Sequence, residues 1–382
     1  MFCGLLAAVA TDTMIVALPT IAEHFSSSAS GVQIKMMVTA LGLGMMVGAP
    51  FAGETVARIG CRLLLAVSIL VFGLLGCAMF FMDEVFSIIV ARFFIGVATG
   101  AISVSVATLI AQAFVGNRQS RWIGLSSAVP TFAALILNPL AGALADRGWN
   151  QPFLLYACAA PVLVLVLAGV PSALGRKEPE RLESPGTTNA VETRGLSLMT
   201  LGLALIVGTL TTGTSLYWPF RLQEVGVDSA RDIALYGLPN ILLTGVLALS
   251  YGACRRRLSI RQIFLISGLM SALGLGVMSL ADRPAMVILG LAIEGCAIGL
   301  LIPNLTNFAI IVSAPSWRSR NLGLAKGVFY GSPFITQFVI EPINQLAGSA
   351  WALAAIGLLG LLIVVAMAAQ NFDGRSRKHS TA

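Results

Sequence analysis

Twelve apolar runs, divided into two halves that repeat at a constant offset, constrain this 382-residue chain more than any other feature. Gly53, Arg58 and Arg62 recur 199 positions later as Gly252, Arg257 and Arg261. The same shift carries Gly96 and Gly100 onto Gly295 and Gly299, and Arg121 and Gly124 onto Arg320 and Gly323. A single offset that fits three separated places marks an internal duplication. Each spanning helix needs about 20 mostly apolar residues. The runs lie near 1–22, 32–53, 62–82, 86–113, 121–145, 152–172, 197–219, 232–253, 262–281, 285–312, 322–346 and 349–369. They are continuous rather than alternating, which excludes a transmembrane barrel. The expected fold is an all-α membrane protein, with twelve transmembrane helices in two six-helix pseudo-symmetric bundles. Parallel halves of this kind put a solute pathway where they meet, near the membrane midplane.

Composition agrees. The chain is 57% hydrophobic and 11% charged, against roughly 25% charged residues in a soluble domain. Basic residues sort to one side of the membrane. Arg58, Arg62, Arg118, Arg121, the run from Arg176 to Arg194, Arg255, Arg256, Arg257, Arg261, Arg318, Arg320, Lys326 and the tail basics share that side. Lys35, Arg147, Arg221, Arg231 and Arg283 face the other, and Arg92 lies inside a span. The bias predicts an inner-membrane protein with both termini cytoplasmic. It also accounts for the net charge of +7. No basic segment is interleaved with aromatics, so nucleic acid is not an expected partner. The expected partners are a small-molecule substrate, protons and the lipid bilayer, with the chain acting as a monomer.

The first bundle is expected over 1–172 and the second over 197–370. A cytoplasmic linker (173–196) and a basic cytoplasmic tail (371–382) complete the chain. The linker holds Arg176-Lys177-Glu178-Pro179-Glu180-Arg181 and then Ser, Pro, Gly, Thr and Asn, a composition unable to bury a core. The first run is read as a span and not a signal peptide, because it lacks a basic lead and Asp12 interrupts it. It opens with no polar segment, so either the start is truncated or the true start lies upstream. The six cysteines show no CxxC spacing. They are read as small packing residues, with no metal site and no cofactor expected.

Glycines crowd the spans. Gly42, Gly44 and Gly48 share the second, and Gly96 and Gly100 mark the fourth. Small residues at this spacing let helices approach closely. Pro130, Pro139, Pro239, Pro303 and Pro333 interrupt apolar runs. In a bundle such prolines bend helices while neighbours satisfy the freed carbonyls.

These residues resemble the major facilitator superfamily over nearly the whole chain. Thr11-Asp12-Thr13-Met14-Ile15-Val16-Ala17-Leu18-Pro19 is similar to the first-span signature of its twelve-span drug:proton antiporter branch, which includes bicyclomycin and chloramphenicol efflux proteins. Arg92, Ile95, Gly96 and Gly100 resemble the fourth-span pattern, and Asn138-Pro139-Leu140-Ala141-Gly142 the end of the fifth-span antiporter motif. The block Gly53-Glu54-Thr55-Val56-Ala57-Arg58-Ile59-Gly60-Cys61-Arg62 matches the family loop between spans two and three, but Ala57 stands where the family has an Asp. In the family that Asp helps to latch one conformation. Ala57 cannot, and Glu54 lies one turn earlier at a different angle. Asn138 likewise replaces the Gly that normally precedes the Pro. The resemblance implies gating or conformational roles for Gly53, Arg58, Gly60, Arg62, Gly96, Gly100, Pro139 and Gly142.

Charges inside spans are the sharpest chemical signals, since burying one costs roughly 3 kcal/mol or more. Asp12 is a candidate for proton or cationic-substrate binding; its bland reading is a helix-end residue that satisfies a neighbouring hydroxyl or backbone group. Arg92 cannot lose its proton. By resemblance it is linked to proton translocation, with Asp12 as its candidate partner; the alternative is a hydrogen-bonding role to helix carbonyls. Glu294 has Ile95 as its repeat mate, so its charge is not inherited from the duplication. It is either a substrate or proton site, or a pair for another polar helix face. Lys326, Lys35 and Glu341 sit near span ends and are read as reaching for the interface. Asn240, Asn304, Tyr330 and Gln337 complete a candidate substrate pocket, together with neighbouring aromatics and the methionines Met36, Met37, Met45 and Met46.

The leading functional expectation is proton-coupled efflux of small amphipathic solutes or drugs by alternating access, an antiport of the kind that gives multidrug resistance. The alternative in the same class is a nutrient or metabolite transporter of the same fold, for a sugar or an amino acid. An enzyme is not expected: His24 and His379 lie outside the spans, and no HExxH or clustered Asp pair occurs in them. No Walker A pattern is present, which argues against ATP-driven transport.

Overall fold

The computed structural model describes residues 3–25, 31–170, 198–227 and 230–369; the side chains of Asp12 and Lys35 lie outside that description. The expected linker at 173–196 and tail at 371–382 also fall outside the described residues.

The described residues are nearly all helical. In chain order the α-helices are α1 (Cys3–His24), α2 (Gly31–Ile59), α3 (Cys61–Ala78), α4 (Val85–Ala113), α5 (Gly116–Ala145), α6 (Ala159–Gly169), α7 (Leu198–Glu224), α8 (Ala230–Arg257), α9 (Ile260–Ser279), α10 (Pro284–Val312), α11 (Arg318–Ile335), α12 (Glu341–Ala347) and α13 (Ser349–Ala368). Ten spans among the described residues are long and apolar enough to cross a membrane. With α1 and the interrupted α11–α12 rod they make the expected twelve.

Local sequence sets the ends. Gly60 turns the chain between α2 and α3 at φ 85°, a left-handed conformation that costs glycine nothing. Ser259 and Gln262 form a reciprocal capping box at the start of α9. Two expected spans differ from continuous α-helix. The span read at 152–172 opens with a 3₁₀ segment, Gln151–Cys158, that has Pro152 in its first turn. The span read at 322–346 breaks at a π-helical turn, Thr336–Ile340, between α11 and α12. Pro333 and Pro342 flank this turn. Neither has an N–H for the α ladder, and the wider turn absorbs the mismatch.

The described chain divides into two compact units: Met1–Leu205 with Thr306–Gly331, and Ile206–Leu305 with Ser332–Ala382. In the first unit α2 packs along α4, α3 along α4 and α1 along α5. In the second, α9 runs along α13. Apolar packing fills the first unit around Leu6, Met14, Ile69, Phe72, Phe153 and Tyr156.

The sequence repeat reappears as a packing repeat. Gly96 abuts the Leu41 carbonyl, and Gly295 abuts the Asn240 carbonyl, at the same 199-residue shift. Gly100 meets Met45 and Gly299 meets Thr244, again 199 apart. A Cβ at Gly96 or Gly295 would run into backbone of the facing helix, so glycine sets the approach of α2 to α4 and of α8 to α10. Arg62 donates to the Leu167 carbonyl at the end of α6. Arg261 does the same to Met367 near the end of α13. In both, a cationic side chain meets the carbonyl-rich end of a helix, where the dipole favours it.

Candidate functional site

Glu294 sits on α10, the helix of the second unit that corresponds to α4 in the first. It is 0% exposed and is the one charged residue between Pro284 and Val312. Gly274 and Gly290 let α9 and α10 approach backbone to backbone beside it. Ser271 Oγ on α9 donates to Glu294 Oε1 at 2.9 Å. Thr214 Oγ1 on α7 points to the same oxygen at 3.4 Å. Glu294 Oε2 has no hydrogen-bond partner among the described residues. One turn before Glu294, the Leu291 carbonyl accepts from Asn240 Nδ2 at 2.9 Å. The acid faces α7 and α9, whereas the amide meets the α10 backbone from α8, one turn away.

Arg92 occupies the matching helix of the first unit and is also 0% exposed. Its Nε donates to the Met37 carbonyl at 3.1 Å. Its Nη1 donates to the Ala10 carbonyl at 2.8 Å and to the Tyr156 hydroxyl at 2.9 Å. The guanidinium thus joins α4 to α1, α2 and the 3₁₀ segment. Nη2 has no partner among the described residues. Asp12 lies on α1 two residues beyond Ala10, but its side chain is outside the described residues.

The other candidates scatter. Asn304 is buried and spoken for: Tyr251 donates to its Oδ1 at 3.0 Å, and its Nδ2 donates to the Ile260 carbonyl at 3.1 Å. Tyr330, in the first unit, donates to Ser103 Oγ at 3.0 Å. Gln337 is exposed on the π turn. Of the expected pocket methionines, Met37 and Met45 are buried core residues, whereas Met36 and Met46 are exposed.

Three residues given gating roles, Gly53, Gly96 and Gly100, lie at tight backbone contacts. Gly53 faces the backbone of Ser319 and Arg320, and Gly323 faces the Ala49 carbonyl, so α2 and the start of α11 touch closely in the first unit. Beside them Glu54 accepts from Arg58 at 3.1 Å and from Arg320 Nη2 at 2.8 Å. Arg320 also lies over the Trp317 ring, 4.7 Å from its centroid. Ala57 is exposed and uncharged, and Glu54 makes the ion pair to Arg320 of α11. Pro139 lies within α5, and the Gly142 carbonyl accepts the Asp146 N–H that closes that helix.

Sequence reasoning missed Ser271 and Thr214 beside Glu294. It also missed a buried polar contact in which Gln119 donates to Asn307 at 3.3 Å and Asn307 donates to Ser120 at 3.2 Å. Serine and threonine in a span carry little signal, because most of them bond back to their own helix. Thr99, Ser127, Thr211 and Ser215 do so here.

The sequence model described as Major Facilitator Superfamily matches residues 1–336. Over 352 residues the chain is 25% identical to the uncharacterized MFS-type transporter YdgK of Bacillus subtilis, covering 87% of this chain and 84% of that one. It is 22% identical over 365 residues to the staphylopine export protein of Staphylococcus aureus, covering 88% and 87%. Among solved structures, the fold is shared with the proton:xylose symporter XylE bound to 6-bromo-6-deoxy-D-glucose. There the TM-score is 0.81 at 14% identity, covering 96% of this chain and 93% of that one.

Proposed function

Because the chain belongs to the major facilitator superfamily, and is thus a multi-pass membrane transporter and not an enzyme, we propose that it is a proton-coupled exporter of small amphipathic solutes working by alternating access. The observation that carries this reading is Glu294, a wholly buried carboxylate with one oxygen that no described residue engages. A group of this kind changes charge only by exchanging a proton or ion, and a bound ion shifts a two-state equilibrium by its differential affinity for the two states. Asp12 is the second proton-binding candidate, with Arg92 fixed close by on the first unit. Asn240, which binds the α10 backbone one turn from Glu294, is assigned to substrate. Export is supported by the likeness to the staphylopine export protein. The basic-residue bias supports an inner-membrane location with cytoplasmic termini. The duplicated halves, 1–172 and 197–370, are taken as the moving bundles and 173–196 as the tether between them.

Reconstitution in vesicles with an imposed pH gradient tests the proposal. Panels of small amphipathic solutes should show at least one flux that follows the gradient and collapses with an ionophore. Asp12→Asn should lower that flux. Gradient-independent movement of every transported solute would remove proton coupling from the account.

A further inference from the structure

We infer that the cluster of oxygens from Glu294, Ser271 and Thr214 is a binding site for a small monovalent cation, which Na⁺ occupies in competition with the proton. The inference rests on the reading of Glu294 as an ion-exchanging carboxylate and adds the identity of a second ion.

Three oxygens converge from three helices of one unit: the carboxylate from α10, the Ser271 hydroxyl from α9 and the Thr214 hydroxyl from α7. Hydroxyls in this chain commonly bond to the carbonyl one turn back, as Thr211 and Ser215 do on α7 itself. Thr214 and Ser271 turn instead toward Glu294. Their spacings are also informative. A hydroxyl held by a carboxylate through a charge-assisted bond lies at about 2.5–2.7 Å. Thr214 lies at 3.4 Å and Ser271 at 2.9 Å. A hard cation of Ca²⁺ size draws oxygens to about 2.4 Å, which puts ligands at right angles about 3.4 Å apart; Na⁺ is of similar size. The Thr214 spacing suits oxygens that meet at an ion, while Ser271 stands at hydrogen-bond distance from the same oxygen.

The free valence is on the carboxylate itself. Glu294 is 0% exposed, and its Oε2 has no partner among the described residues. Ser267 lies one turn before Ser271 on α9; it is also 0% exposed, and its hydroxyl has no partner among the described residues. Residues four apart share a helix face, so a further unpartnered oxygen lies one turn along the same face of α9.

No described cationic side chain answers the carboxylate. On α7 the charges are Arg221 and Glu224, which pair with each other at 2.8 Å. On α9 the charge is Arg261, which donates to the Met367 carbonyl at 2.8 Å. On α8 they are Asp232 near the start and Arg255, Arg256 and Arg257 in the last turn, with Arg231 outside the described side chains. A divalent ion would leave excess positive charge in a site with one carboxylate, whereas a monovalent ion neutralises it.

The test is direct binding of radiolabelled Na⁺ to the purified full chain in lipid nanodiscs, with choline as the replacement cation, across a pH series. Wild type should bind Na⁺ saturably, more weakly as pH falls, and Li⁺ should compete. Glu294→Gln should abolish the signal, and Ser271→Ala should weaken it by roughly tenfold or more. Saturable binding that survives in Glu294→Gln would overturn the assignment. So would the absence of saturable binding to wild type at every pH, a result that needs no variant to fold. Loss of Na⁺ binding with intact proton-driven flux sinks this inference alone. Na⁺ binding without proton-driven flux sinks the proton reading instead.

Discussion

Arg320 Nη2 donates to Glu54 Oε1 at 2.8 Å, tying the start of α11 to the last turns of α2 within the first unit. The same carboxylate accepts from Arg58, so one acid serves two guanidinium groups. Ala57, one turn later on α2, carries no charge, so the contact to α11 is made by Glu54. Both ion-pair partners are about a third exposed, at 36% and 35%. Solvent screening therefore keeps the pair weak. Glu54→Gln should raise local opening of residues 318–331 roughly two- to fivefold in hydrogen-exchange measurements, with little effect on α4. Unchanged exchange there would show that the glycine contacts hold α2 and α11 together without the ion pair.

Close glycine packing makes a sharper prediction. At Gly96 a Cβ would meet the backbone of Leu41 and Gly44, whereas at Gly42 it would meet nothing within 4 Å. Gly96→Val should cost about 1–3 kcal/mol as a lowered unfolding temperature in detergent. Gly295→Val should cost a similar amount because it repeats the contact. Gly42→Ala should be neutral or stabilise by up to about 1 kcal/mol. Equal effects at Gly96 and Gly42 would contradict the packing account.

Arg92 makes three hydrogen bonds to three different elements while wholly buried. A hydrogen bond to a charged group contributes about 1.5–3 kcal/mol. Arg92→Gln should therefore lose about 3 kcal/mol or more, visible as a large drop in melting temperature. Arg92→Lys keeps the charge but not the fork, and should fall between. A stable Arg92→Gln that has lost only transport would assign the residue to coupling and not to architecture.

Much of the fold was legible in the apolar runs, because lipid demands long hydrogen-bonded helices and leaves few alternatives. The 199-residue offset of glycines and arginines was legible too, and it returns as matched contacts of Gly96 with Leu41 and Gly295 with Asn240. The break between α11 and α12 was less so. Pro333 suggested a bend, but a π turn depends on which neighbours donate to the freed carbonyls. Glu294 stood out as a charge in an apolar helix. Its partners did not, since nothing in sequence tells which serines turn from their own backbone toward a neighbour. Asn304 shows the converse. A mid-span amide pointed to a cavity, yet Tyr251 and the Ile260 carbonyl use both ends of it.

The most direct measurement compares wild type with Glu294→Gln in proteoliposomes, reading pH-gradient-driven accumulation and gradient-free counterflow of the same solute. Glu294→Gln should lose uphill accumulation while retaining counterflow, because the substituted side chain still packs but exchanges no ion. Uphill accumulation at the wild-type rate in Glu294→Gln would contradict the assignment of coupling to this carboxylate.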